Sequence, residues 1–538
     1  MRARDLNRFT AAPYDLLVIG GGIYGLAIAY EAGSRGLRTA LVEAGDFGGA
    51  TSFNHQKTAH GGLRALQSAR LDRAIQSIRE RRALARIAPW LLRPLPFLVG
   101  TYRSWTRNRV ALRAAFKLDA WLGRRRNDHV EPELHLPLPR LISKAATLRL
   151  FPGIRPDGLT GGAQWYDYQI VEADRLTFAF AEAADRSGVD LANYAEAIGP
   201  VRDGGRISGM EVRDALTGGT LKISARATIN AAGARAPGIM AMFGDTRQVP
   251  MLKAMNLVTT VRASDIALAA PVASGRMLTL VPWRGRALIG TSQSAPVPSS
   301  TPASVTAAEV AAFVAEANAA FPALKLTPEQ VSLVHRGIVP ASVGRDGQAE
   351  LLADVGLIEH SATGAYSVLG LKYSSARGVA ERTVDTVAKR LGARIRASRT
   401  AERVLPGAGI ADHEALAIET GREVQLDLPL PTLRHVTARY AEAAAVMVRM
   451  MKERKDWMEP VAAGCPTTGV EVVHAVRHEM AVRLSDIVIR RSGLGAAGHP
   501  GRDAVAACAA IAATELGWDQ NRALEEIRNV DAFYEVET

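Results

Sequence analysis

The sequence predicts an α/β fold followed by a C-terminal helical domain, and three observations predict it. Residues 15–19, an apolar run, lead directly into glycines at 20, 22 and 25. A helical stretch over 26–33 follows, then a second apolar run over 37–42 that ends at Glu43. Between residues 161 and 338 the pattern changes to short apolar strands separated by turns. Beyond Leu405-Pro406-Gly407 it changes again, to long helical periodicities. Parallel strands joined by a helix, a mixed or antiparallel sheet and a terminal helical block are the layers these patterns build.

The first unit is Rossmann-like and has the spacing of a dinucleotide fingerprint. Gly20 permits the tight turn, Gly22 leaves room for a pyrophosphate, and Gly25 lets the helix approach the strand. The helix N-terminus then offers free N–H groups to the phosphates. Glu43 stands where a carboxylate holds ribose hydroxyls.

The chain has 538 residues, enough for two or three domains with full cores. Its 66 Lys and Arg against 54 Asp and Glu give a formal charge of +12, which points to an anionic partner. Positive charge alone argues weakly for nucleic acid, and the sequence carries no recognition motif for it. Cys465 and Cys508 are too few for a disulfide scaffold or a cysteine metal cluster, and they fit a reducing cytosol. No signal peptide is read. Residues 16–30 are too short and too rich in glycine for a membrane span. His474 and His478 stand at i, i+4 but lack the zinc-protease pattern, so no metal is expected.

Residues 48–67 read as a polar glycine-rich loop in which Lys57, His60 and Arg64 are placed to meet an anion. Residues 70–88 read as a charged helix broken by residues 89–96. Residues 102–126 are the most basic segment. Arg109, Arg113 and Lys117 share one helical face, and Trp105, Leu112, Phe116 and Leu122 the other. That arrangement is read equally as an interfacial membrane helix or as a helix packed on its own domain. Asp174 is read as a helix cap, and Thr306 with Glu309 as a capping box. Residues 222–229 form a strand ending in Asn230-Ala231-Ala232-Gly233, whose small residues admit a close neighbour. Gly370-Leu371-Lys372 opens a helix through residue 391. The C-terminal helices are read over 433–451, 469–491, 503–516 and 522–533. In domain terms, residues 1–395 form a nucleotide-binding domain interleaved with a substrate sheet over roughly 90–165 and 245–345. Residues 396–410 form a linker, and 411–538 the helical domain.

On these motifs the chain resembles the FAD-dependent glycerol-3-phosphate dehydrogenases, within the D-amino-acid-oxidase-like flavoproteins. The resemblance rests on the 20–43 unit, Ala50-Thr51-Ser52, the Lys57–Arg64 loop and Asn230-Ala231-Ala232-Gly233. It continues through Pro282-Trp283, Ile289-Gly290-Thr291, Gly370-Leu371-Lys372, Leu405-Pro406-Gly407 and the string from Ala475 to Ala481. It implies bound FAD, with contacts at Gly20, Gly22, Gly25, Glu43, Thr51, Ser52, Ala232, Gly233, Gly364, Gly370, Leu371 and Lys372. It also implies hydride transfer from a secondary alcohol of a small phosphorylated polyol to the flavin, electrons passing on to a quinone. Peripheral attachment to the inner face of the cytoplasmic membrane, through residues 102–126, is the matching expectation. His60 is read as the base, or as a histidine that only bonds the cofactor. Arg64 and Lys372, with Lys57, are read as the anion's partners.

Departures from the family pattern cluster at the substrate. Asn256, Gln293 and Val339 stand where the family has a His, an Asp and an Arg, and Ala65 stands where it has a Tyr. Arg336 is three residues from Val339, on the opposite strand face unless a bulge intervenes. Two readings compete with glycerol 3-phosphate oxidation: another alcohol, hydroxy acid or sugar phosphate as substrate, or a flavin-binding scaffold without turnover.

Overall fold

The computed structural model describes residues 1–62, 70–103, 109–344, 349–352, 355–360, 363–407, 412–425 and 428–537. Strand Tyr14–Ile19 lies at the centre of the first sheet. It pairs in parallel with Thr39–Val42 on one side and with Thr220–Asn230 on the other. Ala365–Leu369 and Asp190–Ala192 extend the parallel run outward. Side chains alternate between its two faces, as strand geometry requires. Leu16 and Val18 pack on helices Ile23–Ser34, Ala173–Arg186 and Ala376–Leu391. Leu17 and Ile19 pack on the antiparallel layer of Ala195–Asp203 and Arg206–Asp214.

The second sheet is mixed. Strands Val331–Val343, Met251–Thr259, Arg286–Val297, Met277–Trp283 and Ala267–Pro271 run antiparallel in that spatial order. Ala267–Pro271 then pairs in parallel with Leu92–Tyr102, which lies against Leu159–Ile170. One face, with Leu257, Leu280 and Ile289, packs on helix Ala307–Ala320. The other, with Val258, Val281 and Leu288, receives Val472, Ile487 and Val505 of the C-terminal helices. The α/β architecture with a mixed sheet and a C-terminal helical domain is therefore the observed one.

Several local expectations are corrected. The helix read over 70–88 ends at Ile87, ahead of residues 89–96 as read; within that stretch Pro94 and Pro96 lie in strand Leu92–Tyr102. Pairing with Ala267–Pro271 begins only at Phe97, so the side of the strand away from Leu159–Ile170 is an edge at both prolines. Asp174 lies inside helix Ala173–Arg186, whose N-cap residue is Glu172. The capping box of Thr306 and Glu309 is present. The region read as one helix over 433–451 is split at Ala441, whose φ is 50°. That over 469–491 is split into Gly469–His478 and a π-helical turn, Asp486–Arg491. Between them Met480 has φ 55°, and the Glu479 carboxylate is drawn to Arg175 at 2.6 Å. Tertiary partners override helical periodicity at both breaks.

In helix Arg109–Leu122 the expected apolar face is not free: Leu112 and Phe116 pack on Ala163. Arg109 is not part of a free basic face either. It donates to the carbonyls of Ile142 (2.8 Å) and Thr160 (3.3 Å). The exposed side carries Val110, Arg113, Lys117, Leu118 and Trp121, and Arg124 and Arg125 follow it. Trp105 lies outside the described residues.

Candidate active site

Parallel strands present their C-terminal ends together, and three of the predicted motifs meet there: Gly20 after Ile19, Ala231 after Asn230, and Gly370 after Leu369. Gly20 has φ 108°, and a Cβ on it would stand 2.6 Å from the Ala231 carbonyl oxygen. A Cβ on Gly25 would overlap the Gly20 carbonyl. These two glycines are demanded by the turn itself. Gly22 is different. A Cβ there would meet only Ser52 Oγ, at 3.2 Å, and one on Gly233 would meet nothing within 4 Å. The backbone is open to a ligand at both.

Ser52 Oγ accepts from Ile23 N at 2.9 Å, so the loop supplies a partner to the N-terminus of helix Ile23–Ser34, which its own N-cap Gly22 cannot. Glu43 accepts from Gly21 N at 2.6 Å and Gly45 N at 2.7 Å; burial raises its pKa while these two donors pull it back. Asn230 Nδ2 bonds Ser367 Oγ and the Ala236 carbonyl, tying two strand ends together. An open glycine turn at a helix N-terminus with a carboxylate beside it fits the dinucleotide half of FAD. Gly20, Gly22, Gly25, Glu43, Ser52, Ala232 and Gly233 are the residues that would hold it. Gly370 and Leu371 close the same end: Tyr24 Oη lies 2.8 Å from the place of a Gly370 Cβ and donates to the Lys372 carbonyl at 2.9 Å. Gly364 is corrected. It precedes Ala365, at the opposite end of the strand from Gly370, because parallel strands carry their N-terminal ends away from the ligand edge.

The candidate chemistry gathers around a residue to which the sequence assigned no role. Asp167 is buried on strand Leu159–Ile170 and accepts from Gly61 N (2.6 Å), Trp165 Nε1 (3.2 Å), Arg81 and His60 Nδ1 (3.2 Å). The hydrogen bond from His60 and the Arg81 charge hold its pKa down at about 2, against the opposing effect of burial. His60 Nε2 lies 2.9 Å from Thr58 Oγ1, and the ring is half-exposed. Ionised Asp167 assigns the proton to Nδ1 and leaves Nε2 as acceptor. Lys372 donates to Ser77 Oγ on the same helix as Arg81, and burial pushes its pKa down to about 8 although Asp167 draws it up. His60 and Lys372, 312 residues apart in the chain, thus share one carboxylate's field. The sequence signal for Asp167 was a lone acid in the aromatic strand Trp165-Tyr166-Asp167-Tyr168. Arg64 lies outside the described residues.

Lys57 is corrected. Its φ is 56°, its side chain is fully buried, and its ammonium donates to the Phe53 carbonyl between the rings of Phe53 (4.6 Å) and Trp283 (5.3 Å). Burial lowers its pKa to about 8. It shapes the loop and does not face an anion.

Cross-strand partners share a sheet face. His335 pairs with Asn256, Gly337 with Ala254, Val339 with Leu252, and Ala254 with Gln293, so Asn256, Gln293 and Val339 lie on one side. The loop covers that side. A Cβ on Gly337 would stand 3.2 Å from Thr51 Oγ1, Asn256 donates to the Asn54 carbonyl at 3.2 Å, and Phe53 lies 5.1 Å from the His335 ring. Asn256 Oδ1 accepts from Thr291 Oγ1 (2.8 Å), and Gln56 Oε1 from Thr279 Oγ1 (2.9 Å). Gln56 Nε2 and His55 Nε2 are buried with no hydrogen-bond partner among the described residues. Val339 packs with Leu252 and Ala341 and against Leu371. Arg336 points to the other face and donates to the Phe533 and Glu535 carbonyls; Lys253 pairs with Glu309 at 2.5 Å. Neither replaces an arginine at Val339.

Residues 15–386 match the family described as FAD dependent oxidoreductase, and residues 398–523 match the C-terminal domain of alpha-glycerophosphate oxidase. Glycerol-3-phosphate dehydrogenase 2 of Mycobacterium tuberculosis is 28% identical over all of this chain and 90% of its own length. The mitochondrial glycerol-3-phosphate dehydrogenase of Mus musculus is 28% identical over 97% of this chain and 73% of its own. A solved glycerol-3-phosphate dehydrogenase from Bacillus halodurans, complexed with FAD, superposes with a TM-score of 0.75 at 23% identity. That superposition covers 98% of this chain and 96% of the other.

Proposed function

Because the chain belongs to the FAD-dependent oxidoreductase family, with FAD as its cofactor, we propose that it oxidises the secondary alcohol of a small phosphorylated polyol, glycerol 3-phosphate first among them. The observation that carries the reading is the convergence of His60, Asp167 and Lys372 beside the glycine turns. FAD, when bound, accepts the hydride from the carbon that bears the hydroxyl. His60 Nε2 takes the hydroxyl proton, and Asp167 orients the ring and offsets the imidazolium charge. Lys372, with Arg64, attracts the substrate's anion. The relatives' names supply glycerol 3-phosphate, and their coverage of nearly the whole chain supports carrying it across. Anaerobic addition of glycerol 3-phosphate to the yellow protein tests the reading: bleaching of the flavin supports it, and an unbleached spectrum at saturating substrate refutes it.

One observation favours a second substrate class. The covered face of the second sheet is neutral at Gln56, Asn256, Thr279, Thr291, Gln293 and Val339, and Arg336 and Lys253 are engaged elsewhere. Such a lining suits hydroxyl or amide groups better than a phosphate. An alcohol or hydroxy acid that bleaches the flavin where glycerol 3-phosphate fails establishes this alternative.

A quinone as electron acceptor and peripheral attachment to the inner face of the cytoplasmic membrane belong to the same proposal. No helix among the described residues is long and apolar enough to cross a membrane. Helix Arg109–Leu122 instead exposes Val110, Leu118 and Trp121 among Arg113 and Lys117, a surface suited to an anionic bilayer.

A further inference from the structure

We infer that Arg490 and Arg491, on the C-terminal helical domain, are positioning residues for the FAD site, acting through Asp46. The loop that follows strand Thr39–Val42 wraps the glycine turn. Glu43 accepts from Gly21 N, Gly48 N donates to the Gly21 carbonyl at 2.9 Å, and Phe47 lies 2.7 Å from the place of a Gly21 Cβ. Asp46 sits in the middle of that loop, buried, yet its side chain is satisfied from outside the loop. Its Oδ2 accepts from Arg490 Nε (2.6 Å) and Arg491 Nη1 (2.9 Å), and its Oδ1 from Arg491 Nη2 (2.8 Å) and Asn193 Nδ2 (3.1 Å).

The C-terminal domain is built to present two consecutive arginines to one carboxylate. Successive side chains diverge strongly on an α-helix; the wider π-helical turn Asp486–Arg491 reduces that divergence. Each arginine is braced in turn. Arg490 donates to Asp486 at 2.6 Å, and Asp486 accepts from the Tyr194 hydroxyl at 2.7 Å. Arg491 donates to the Glu479 carbonyl at 3.1 Å and lies 4.5 Å from the Phe178 ring. The two guanidiniums hold the Asp46 carboxyl below its usual range, against the opposing effect of burial.

A loop held this way needs little further ordering when a ribose and pyrophosphate arrive, and preorganisation of that kind appears as affinity. Without the arginines, a buried carboxylate loses its counter-charges and the loop that carries Glu43 must shift to hydrate it. The C-terminal domain thereby acts on cofactor retention from outside the dinucleotide-binding unit. The inference needs FAD as cofactor but is independent of which alcohol is oxidised.

The test compares full-length holoenzymes carrying Arg491→Met, Arg491→Lys and Arg477→Met. Each is diluted serially, and released FAD is followed by its fluorescence to give Kd. Arg477→Met is the control: it removes another arginine of the C-terminal domain, paired with Glu515 at 2.7 Å and Glu453 at 2.9 Å, away from the cofactor loop. Arg491→Met is expected to raise the FAD Kd at least tenfold and Arg491→Lys to fall between it and the parent, because lysine restores charge but not the two-pronged fork. Arg477→Met is expected to leave Kd within twofold. An unchanged Kd in Arg491→Met overturns the inference, as does equal weakening by Arg477→Met, which would mark a general loosening of the domain. Should Arg491→Met not fold, Arg490→Met is measured in the same way and is expected to raise Kd several-fold; no rise overturns the inference.

Discussion

The two candidate ligand-facing regions of this protein are made of different materials. The cofactor end of the first sheet is mostly backbone: glycines at 20, 22 and 25, N–H groups of a helix start, and one carboxylate within 24 residues. The covered face of the second sheet is mostly side chains, contributed by strands Met251–Thr259, Met277–Trp283, Arg286–Val297 and Val331–Val343 and by the loop around Thr51 to Gln56. Backbone sites depend on local chain geometry and tolerate little change. Side-chain sites can be rewritten one residue at a time while the sheet remains, so substrate identity diverges more readily than cofactor identity.

The sharpest way to break this contrast is at Gly22. Gly22→Val places methyls at the helix N-terminus and against Ser52, and the purified protein is expected to be colourless while still unfolding cooperatively. Normal flavin content would show that backbone access is not what the turn supplies. Next in size is Asp167→Asn. Loss of the charge that orients His60 is expected to lower kcat about 10²–10⁴-fold, the usual worth of a positioned base, with FAD still bound. Stopped-flow flavin reduction reads this directly, and an unchanged rate removes His60 as the base.

Val339→Arg tests the neutral face. The new guanidinium enters a cluster of Leu252, Ala341 and Leu371, so it is expected to cost about 1–3 kcal/mol of stability from overpacking alone. Alone it leaves kcat/KM for glycerol 3-phosphate unimproved; with Asn256→His and Gln293→Asp it raises it. A gain from the single change would mean that the face already accepts a phosphate.

A pH profile separates the cations. Lys372 is depressed from 10.5 to about 8, so its charge is present below that pH and lost above it. KM for an anionic substrate is therefore expected to rise as pH passes about 8, and Lys372→Arg to abolish the rise because guanidinium stays charged. Stability runs the other way: between about 8 and 10.5 the unfolded chain binds more protons at Lys372 than the folded one, so its contribution improves with pH. The smallest effect is at the surface. Trp121→Ser is expected to weaken binding to anionic vesicles several-fold, less than Arg113→Ser with Lys117→Ser, which remove roughly 1 kcal/mol per cation. Binding that ignores both changes leaves helix Arg109–Leu122 as a packed helix of its own domain.

Much was legible in the sequence where partners are close along the chain. The strand, glycine turn, helix and acid over 15–43 specify one another through a few residues of backbone, and the capping box at Thr306 and Glu309 closes within a single turn. The side of Arg336 also followed from strand alternation alone, and the structure has it facing the C-terminal carbonyls. By itself, then, the sequence determined the α/β class, the dinucleotide unit and the departure from the family pattern at Asn256, Gln293 and Val339.

The tertiary structure alone decided the rest. It put Asp167 between His60 and Arg81, buried Lys57 under Phe53 and Trp283, moved Gly364 to the far end of its strand, and broke the helix read over 469–491 so that Arg490 and Arg491 reach Asp46. Gly364 follows from strand polarity; for the three cases that involve charges the physical reason is common. A charge's role is set by what surrounds it after burial, and those neighbours come from segments tens to hundreds of residues away, beyond the reach of any local periodicity or cap.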